Sequence, residues 1–340
     1  MANKIVEDPR IDPRIKELFK DMPPSAGARV ESREVLLAAM QAMAGSSAFG
    51  ALFESLDLEG IAPSDGLTIT RHELTSSPDG NTISVNVIRP DGNEALPCVY
   101  YIHGGGMMIM SAYDPHYVAW GRLIAQQGVA VAMVEFRNSA LANTLGEVAP
   151  YPGGLNDCVS GLRWVLDNAG KLGIDPDRVV VAGESGGGNL TLATGLAMKQ
   201  AGEANRVRGL YALCPYIKGQ WSDEDGGSVT GNRGILLDLH VDNGAVAYGI
   251  ESFNAGDFLA WPAFASEDDL KGLPKVKISV NECDPLRDEG VDIYRRLIRA
   301  GVAAQCLEAM GTVHGTETFL CCPNISRDCA RDIAGFARDY

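Results

Sequence analysis

The sequence predicts an α/β fold, with a mostly parallel central sheet flanked by helices and a helical cap, on three observations. From Cys98 onward, short apolar, β-branched runs alternate with longer helical stretches. Two segments, 1–60 and 216–272, break that rhythm yet carry large apolar residues that need a surface to bury against. A buried-strand run, Val179-Val180-Val181-Ala182, passes through Gly183-Glu184-Ser185-Gly186-Gly187 directly into a helical stretch.

The elements follow in order. Residues 1–60 read as helix and loop, broken at Pro9, Pro13, Pro23 and Pro24, with an apolar-periodic stretch from Glu31 to Ala44. Two period-2 runs, Leu67 to Leu74 and Thr82 to Arg89, flank a Ser-Pro-Asp-Gly turn and predict an edge hairpin. Strands are expected at Cys98 to Ile102, Val129 to Phe136, Arg178 to Ala182, Val207 to Leu213, Val276 to Val280 and Ala304 to Glu308. Helices are expected at Tyr117 to Gln127, Asn156 to Leu172, Asn189 to Gln200, Glu289 to Ala300 and Ser326 to Arg338. The catalytic core is then 61–215 and 273–340, with 1–60 and 216–272 as the cap.

Composition removes several classes of function. A formal net charge of -15 over 340 residues repels phosphate backbones and anionic lipid, so neither nucleic acid nor a membrane is an expected partner. The first residues lack an apolar signal core, and no run of eighteen apolar residues occurs, which makes a cytoplasmic protein the expectation. Eight irregularly spaced cysteines suit reduced core thiols better than a disulfide framework or a zinc site, so no metal and no cofactor are expected.

The chemistry is carried by four short stretches. At a tight strand-to-helix turn a serine is held in a strained conformation that lifts Oγ clear of the sheet, and Gly183 and Gly187 leave room where a Cβ would collide. Ser185 is therefore the candidate nucleophile. His103-Gly104-Gly105-Gly106 follows a predicted strand, and backbone N–H groups aimed at a developing oxyanion are worth about 3 kcal/mol each. The expected donors are Gly105, Gly106 and Gly186. Neither glycine cluster accepts a phosphate-cradling pattern.

Of the five histidines, His314 lies after the last predicted strand, where a loop returns to the carboxyl ends of the sheet, and is the candidate base. His103 reads as a partner of its own loop, His72 as a hairpin residue, His116 as the opening of a helix and His240 as a solvated turn. Asp284 is the candidate acid because Asp-Pro favours a sharp turn, with Glu282 and Asp288 as competitors. Met107 and Met108, directly after the glycine loop, and Glu184 are expected to touch substrate. A histidine base implies a kcat/KM that rises through a pKa near that of free histidine.

HGGG, GESGGG, DPLRDEG and a late VHG, in this order, resemble the hormone-sensitive-lipase-like esterases of the α/β-hydrolase fold across roughly residues 65–340. Phe136-Arg137-Asn138, Tyr151-Pro152 and the run Gly183 to Asn189 are most similar to a bacterial, lactone-opening branch. Gly186 and Thr316 stand where the family usually carries a small non-glycine residue and an aromatic one. The resemblance implies that Ser185, Asp284 and His314 act together and that the N-terminal segment helps build the cap. It implies a serine carboxylester hydrolase for small to medium esters or lactones, with a homodimer left open. Amidase or acyltransferase chemistry on the same residues is the alternative, followed by a non-catalytic small-molecule receptor.

Overall fold

The computed structural model describes residues 3–22, 28–43, 52–222 and 224–339. Its frame is one eight-stranded sheet: β1 (Leu67–Thr75), β2 (Thr82–Pro90), β3 (Leu96–Ile102), β4 (Ala130–Glu135), β5 (Ile174–Glu184), β6 (Gly209–Leu213), β7 (Lys275–Asn281) and β8 (Ala304–Ala309). The spatial order is β1-β2-β4-β3-β5-β6-β7-β8. The β1–β2 and β2–β4 pairs are antiparallel, and every pair from β4 to β8 is parallel.

Both faces of the central strands are buried, which explains why they read as continuous apolar runs rather than as alternating ones. Successive side chains still part to opposite faces. Cys98, Tyr100, Ile102, Val179 and Val181 join Leu162, Leu196 and Leu297 of the helices Gly153–Asp167, Gly186–Gln200 and Arg287–Arg299. Val99, Tyr101, Val180 and Ala182 face Trp120, Leu123, Ile333 and Ala337 of the helices Pro115–Ala125 and Pro323–Arg338.

Two boundaries differ instructively from the sequence reading. The expected helix Asn156 to Leu172 begins at Gly153 and breaks at Asn168, whose backbone leaves the helical region at φ -107° while its side-chain amide donates to Trp164 O at 2.9 Å. The helix expected from Asn189 begins at Gly186 instead, so the glycine run is its first turn. Glycine propensity reads as loop, but here close approach of two backbones decides.

The described residues of 1–60 and 216–272 pack on each other and on the rest of the fold. Arg29 donates to His240 O and Trp221 O at 2.8 and 2.5 Å, and Arg33 to Ala247 O and Ser139 O at 3.1 and 2.6 Å. Within 216–272, Trp261 packs edge-on against Tyr216 and Tyr248 with centroids 5.8 and 5.6 Å away. Leu36 of the helix Arg33–Met43 is buried against Ala140 and Ala247, with Met40 and Met108 beside it. Phe49, one of the apolar residues that motivated the cap, lies outside the described residues, as does the side chain of Met43.

The first two helices, Lys4–Glu7 and Pro13–Phe19, behave as core. Ile15 and Phe19 are fully buried in a cluster with Phe53, Val313 and Phe319, next to His314 in the chain. Ile15→Ala or Phe19→Ala should therefore cost about 2–5 kcal/mol of stability. Urea unfolding with an unchanged m-value is the measure, and a loss below about 1 kcal/mol would show that these helices only rest on the surface. Removing the first 45 or so residues would then unsettle the histidine loop itself, rather than merely narrowing the range of substrates.

Candidate active site

The strand order reverses around β3, with β4 on one side and β5 on the other, and ligands of open α/β sheets bind beyond the carboxyl ends at such a switch. The loop after β3 is His103-Gly104-Gly105-Gly106, and the residue after β5 is Ser185. Ser185 adopts φ 57° and ψ -118°, a strained conformation for a residue with a side chain. Its N–H donates to Leu213 O at 2.9 Å, and its carbonyl accepts from Tyr216 N at 3.0 Å, which strap the turn to the end of β6. A Cβ on Gly187 would stand 2.1 Å from Ile102 O, and one on Gly183 2.5 Å from the same atom, so both positions require glycine.

His314 is brought to Ser185 by the loop after β8, closed where Val313 N donates to Thr316 Oγ1 at 3.0 Å. Its Nδ1 donates to Asp284 Oδ2 at 2.7 Å, and its Nε2 accepts from Ser185 Oγ at 2.8 Å. Asp284 is fully buried, and its other oxygen accepts from Leu286 N at 2.9 Å. Burial of the ring works against the imidazolium, but the adjacent Asp284 carboxylate outweighs it and raises the His314 pKa well above the usual value. An imidazole so placed can take the serine proton, and a carboxylate on its far nitrogen fixes the tautomer that does so.

The competing acids are occupied elsewhere. Glu282 accepts from Gly311 N at 2.8 Å and braces the histidine loop, while Asp288 accepts from Ser228 N at 2.7 Å in the 216–272 segment. Glu289 accepts from Ile217 N and Trp221 Nε1 at 2.7 and 2.8 Å, pinning that segment to the helix Arg287–Arg299.

Gly105 and Gly106 take φ of 87° and 63°, and a Cβ on Gly186 would stand 2.7 Å from Gly106 N and 2.5 Å from Met107 N. The three glycines thus meet in one place beside Ser185. Glu184 corrects an expectation: rather than facing substrate, it is 3% exposed and both its oxygens are used within the fold. Oε1 accepts from Gly104 N at 2.7 Å and from the Tyr117 hydroxyl, and Oε2 accepts from Tyr101 Oη at 2.5 Å. Burial pushes the Glu184 carboxyl up to about 7. Met107 is corrected likewise, since its side chain is 1% exposed in the main core. Met108 is half-buried between Gly106 and the helix Arg33–Met43.

Three other histidines, His103, His116 and His240, are buried. His103 stacks on Phe136 with centroids 4.3 Å apart, and its Nδ1 lies 3.0 Å from Gly104 O, while burial pushes its pKa down to about 4. His116 stacks on Phe53 at 4.1 Å. His240, read as a solvated turn, is instead buried in a 3₁₀ turn. Among the described residues one group of three side chains is spaced to hold a metal ion: Cys214, Asp284 and His314. Cys214 had no signal in the sequence, because only the end of β6 brings it there.

Similarity to known proteins agrees with this geometry. Residues 99–318 match the family Abhydrolase_3, described as alpha/beta hydrolase fold. The chain is 32% identical over 274 residues to carboxylesterase NlhH of Mycobacterium tuberculosis, covering 78% of this chain and 82% of that one. The solved structure of esterase Est22 superposes with a TM-score of 0.97 at 57% identity, covering 100% of both chains. That of brefeldin A esterase, described as a bacterial homologue of human hormone sensitive lipase, does so with a TM-score of 0.88 at 36% identity over 97% of this chain and 94% of that one. On the matched motifs and on this extent of similarity, the chain belongs to the hormone-sensitive-lipase-like family of α/β-hydrolase-fold proteins.

Proposed function

We propose that this chain, a carboxylester hydrolase, opens small to medium esters or lactones through an acyl-enzyme on Ser185, with His314 as base and Asp284 orienting it. The observation that carries the reading is the unbroken chain of hydrogen bonds from Asp284 through His314 to Ser185, at 2.7 and 2.8 Å. His314 takes the Ser185 proton as Oγ attacks the carbonyl carbon. The tetrahedral oxyanion turns to the amides of Gly105, Gly106 and Gly186, and His314 returns the proton to the leaving alkoxide. Water repeats the sequence and frees the acid. A receptor that merely binds would not need this alignment.

Glu184 acts on this cycle as a brace, since its carboxylate holds Gly104 N and so the start of the glycine loop. The helix Arg33–Met43 and the described residues of 216–272 form the cap, with Met108 packed beside Leu36 of that helix. Among the described residues no helix is long and apolar enough to cross a bilayer. Five buried thiols favour a reducing, cytoplasmic setting.

Two measurements follow. p-Nitrophenyl esters of increasing acyl length, tested beside lactones and p-nitroanilides, should show turnover of the first two classes and little of the third. Amide turnover equal to ester turnover would overturn the ester assignment. The active base is the neutral imidazole, and its pKa is raised, so kcat/KM should climb with pH through a midpoint above the ordinary 6.5 of histidine and then level off. This moves upward the limb expected from the sequence alone. A rate independent of pH between about 5 and 9 would argue against a histidine base.

A further inference from the structure

We propose that Cys214, Asp284 and His314 form a site for a thiophilic divalent cation, of the Zn²⁺ and Cd²⁺ class, whose occupancy switches hydrolysis off. The Cys214 sulfur, an Asp284 oxygen and a His314 ring nitrogen all lie within 4.8 Å of one another. All three residues are buried, with exposures of 1%, 0% and 7%. Ser185, hydrogen-bonded to the same imidazole, is half-buried and marks the way in from the substrate side.

Cys214 is held in place by its backbone. It directly follows β6, has φ +34° and donates its N–H to Ser279 O at 2.7 Å. The thiol therefore stands beside the imidazole as a fixed group, although ester hydrolysis through Ser185 makes no use of it. A sulfur, an imidazole nitrogen and a carboxylate oxygen are the donors that tetrahedral Zn²⁺ takes, and they are a poor set for Mg²⁺ or Ca²⁺. Metal–ligand bonds of about 2.0–2.3 Å place tetrahedral donors about 3.3–3.8 Å apart, so the widest pair has to close by at most about 1.5 Å. His314 Nδ1 and Asp284 Oδ2, now 2.7 Å apart, have to open slightly if the ion takes Nδ1. The fourth position is left to water.

The inhibition follows from the electron pairs. On binding, the Cys214 thiol gives its proton to solvent, and the thiolate and an imidazole lone pair enter the metal's shell, with no oxidation or reduction. If the ion takes Nδ1, the ring proton moves to Nε2 and nothing remains to accept the Ser185 proton. If it takes Nε2, the accepting lone pair is itself occupied. Either geometry also draws Asp284 from orienting a base to ligating an ion.

This inference rests on the catalytic reading of Ser185 and His314, and its test separates the two. Chelator-treated full-length enzyme is titrated with ZnCl₂ and with CdCl₂ while p-nitrophenyl acetate hydrolysis is followed. Cadmium binding is read independently from the ultraviolet thiolate-to-cadmium charge-transfer band. Inhibition should be complete and reversed by EDTA. Cys214→Ser and Cys214→Ala should both keep metal-free kcat/KM within a few fold, raise the half-inhibitory concentration at least tenfold and lose part of the band. The adjacent thiols Cys321 and Cys322, with sulfurs 3.9 Å apart, are the rival site, and the double variant Cys321→Ser/Cys322→Ser should stay as sensitive as the parent. Unchanged inhibition in both Cys214 variants, or inhibition abolished only in the double variant, would overturn the site. A metal-free enzyme without hydrolysis would instead overturn the catalytic reading, while the cadmium band would still report on Cys214.

Discussion

Ser185→Ala is expected to lower kcat for ester hydrolysis by at least about 10⁴-fold while leaving the fold and its unfolding midpoint essentially unchanged. The loss is large because the substitution removes the attacking oxygen, and with it the covalent route. The amides of Gly105, Gly106 and Gly186 would remain, and they account for whatever catalysis above solution is left. The unchanged fold is expected because the Ser185 hydroxyl has one partner in this site, His314 Nε2, and contributes little packing volume. Relief of a side chain at φ 57° is no larger an effect, since alanine keeps the Cβ that strains that conformation. Steady-state kinetics with p-nitrophenyl acetate, beside a thermal melt, decide the matter. Activity within tenfold of the parent in a folded protein would remove Ser185 from the mechanism.

The second large effect is expected at the acid. Asp284→Asn should cost about 10⁴ in kcat, because an amide can donate to Nδ1 and thereby hold the wrong tautomer against Ser185. It should also bring the pH limb of any residual activity down, since the carboxylate is what raises the His314 pKa against the effect of burial. Glu282→Gln and Asp288→Asn should each cost far less in kcat. The Glu282 carboxylate holds Gly311 N and the Asp288 carboxylate holds Ser228 N, so their losses belong to stability and loop position. A crippled Asp288→Asn beside a mild Asp284→Asn would reverse the assignment.

The sheet was legible because parallel strands buried on both faces have to be apolar without interruption, and because the helices between them carry one apolar stripe. The tight strand-to-helix turn at Ser185 was legible for a related reason. Glycine at 183 and 187 is forced by carbonyls that approach within 2.5 Å of where a Cβ would sit, and such a constraint leaves a mark in one dimension. The assignment of Glu184 to substrate failed because an acid beside a nucleophile reads the same whether it faces a pocket or a buried backbone amide. Tyr101 and Tyr117, which settle the matter, lie far away in the chain.

The same holds for the acids near residue 284. Four carboxylates fall within eight positions at one end of β7, and only their tertiary partners, His314, Gly311, Ser228 and Trp221, distinguish them. Cys214 and the buried state of His240 were invisible for want of any local pattern. Ile15 and Phe19 stand in a segment read as cap, and only the folded chain shows them buried with Val313 and Phe319 beside the loop that carries the histidine.

The central claim is that an ester's acyl group passes through Ser185. Its most direct test is to mix the enzyme with a slowly deacylating p-nitrophenyl ester, quench in acid and map the peptides by mass spectrometry. One acyl group per chain is expected, on the peptide that contains Ser185, and none in Ser185→Ala. Hydrolysis that proceeds with no trapped acyl group, or with the group on another residue, would contradict it.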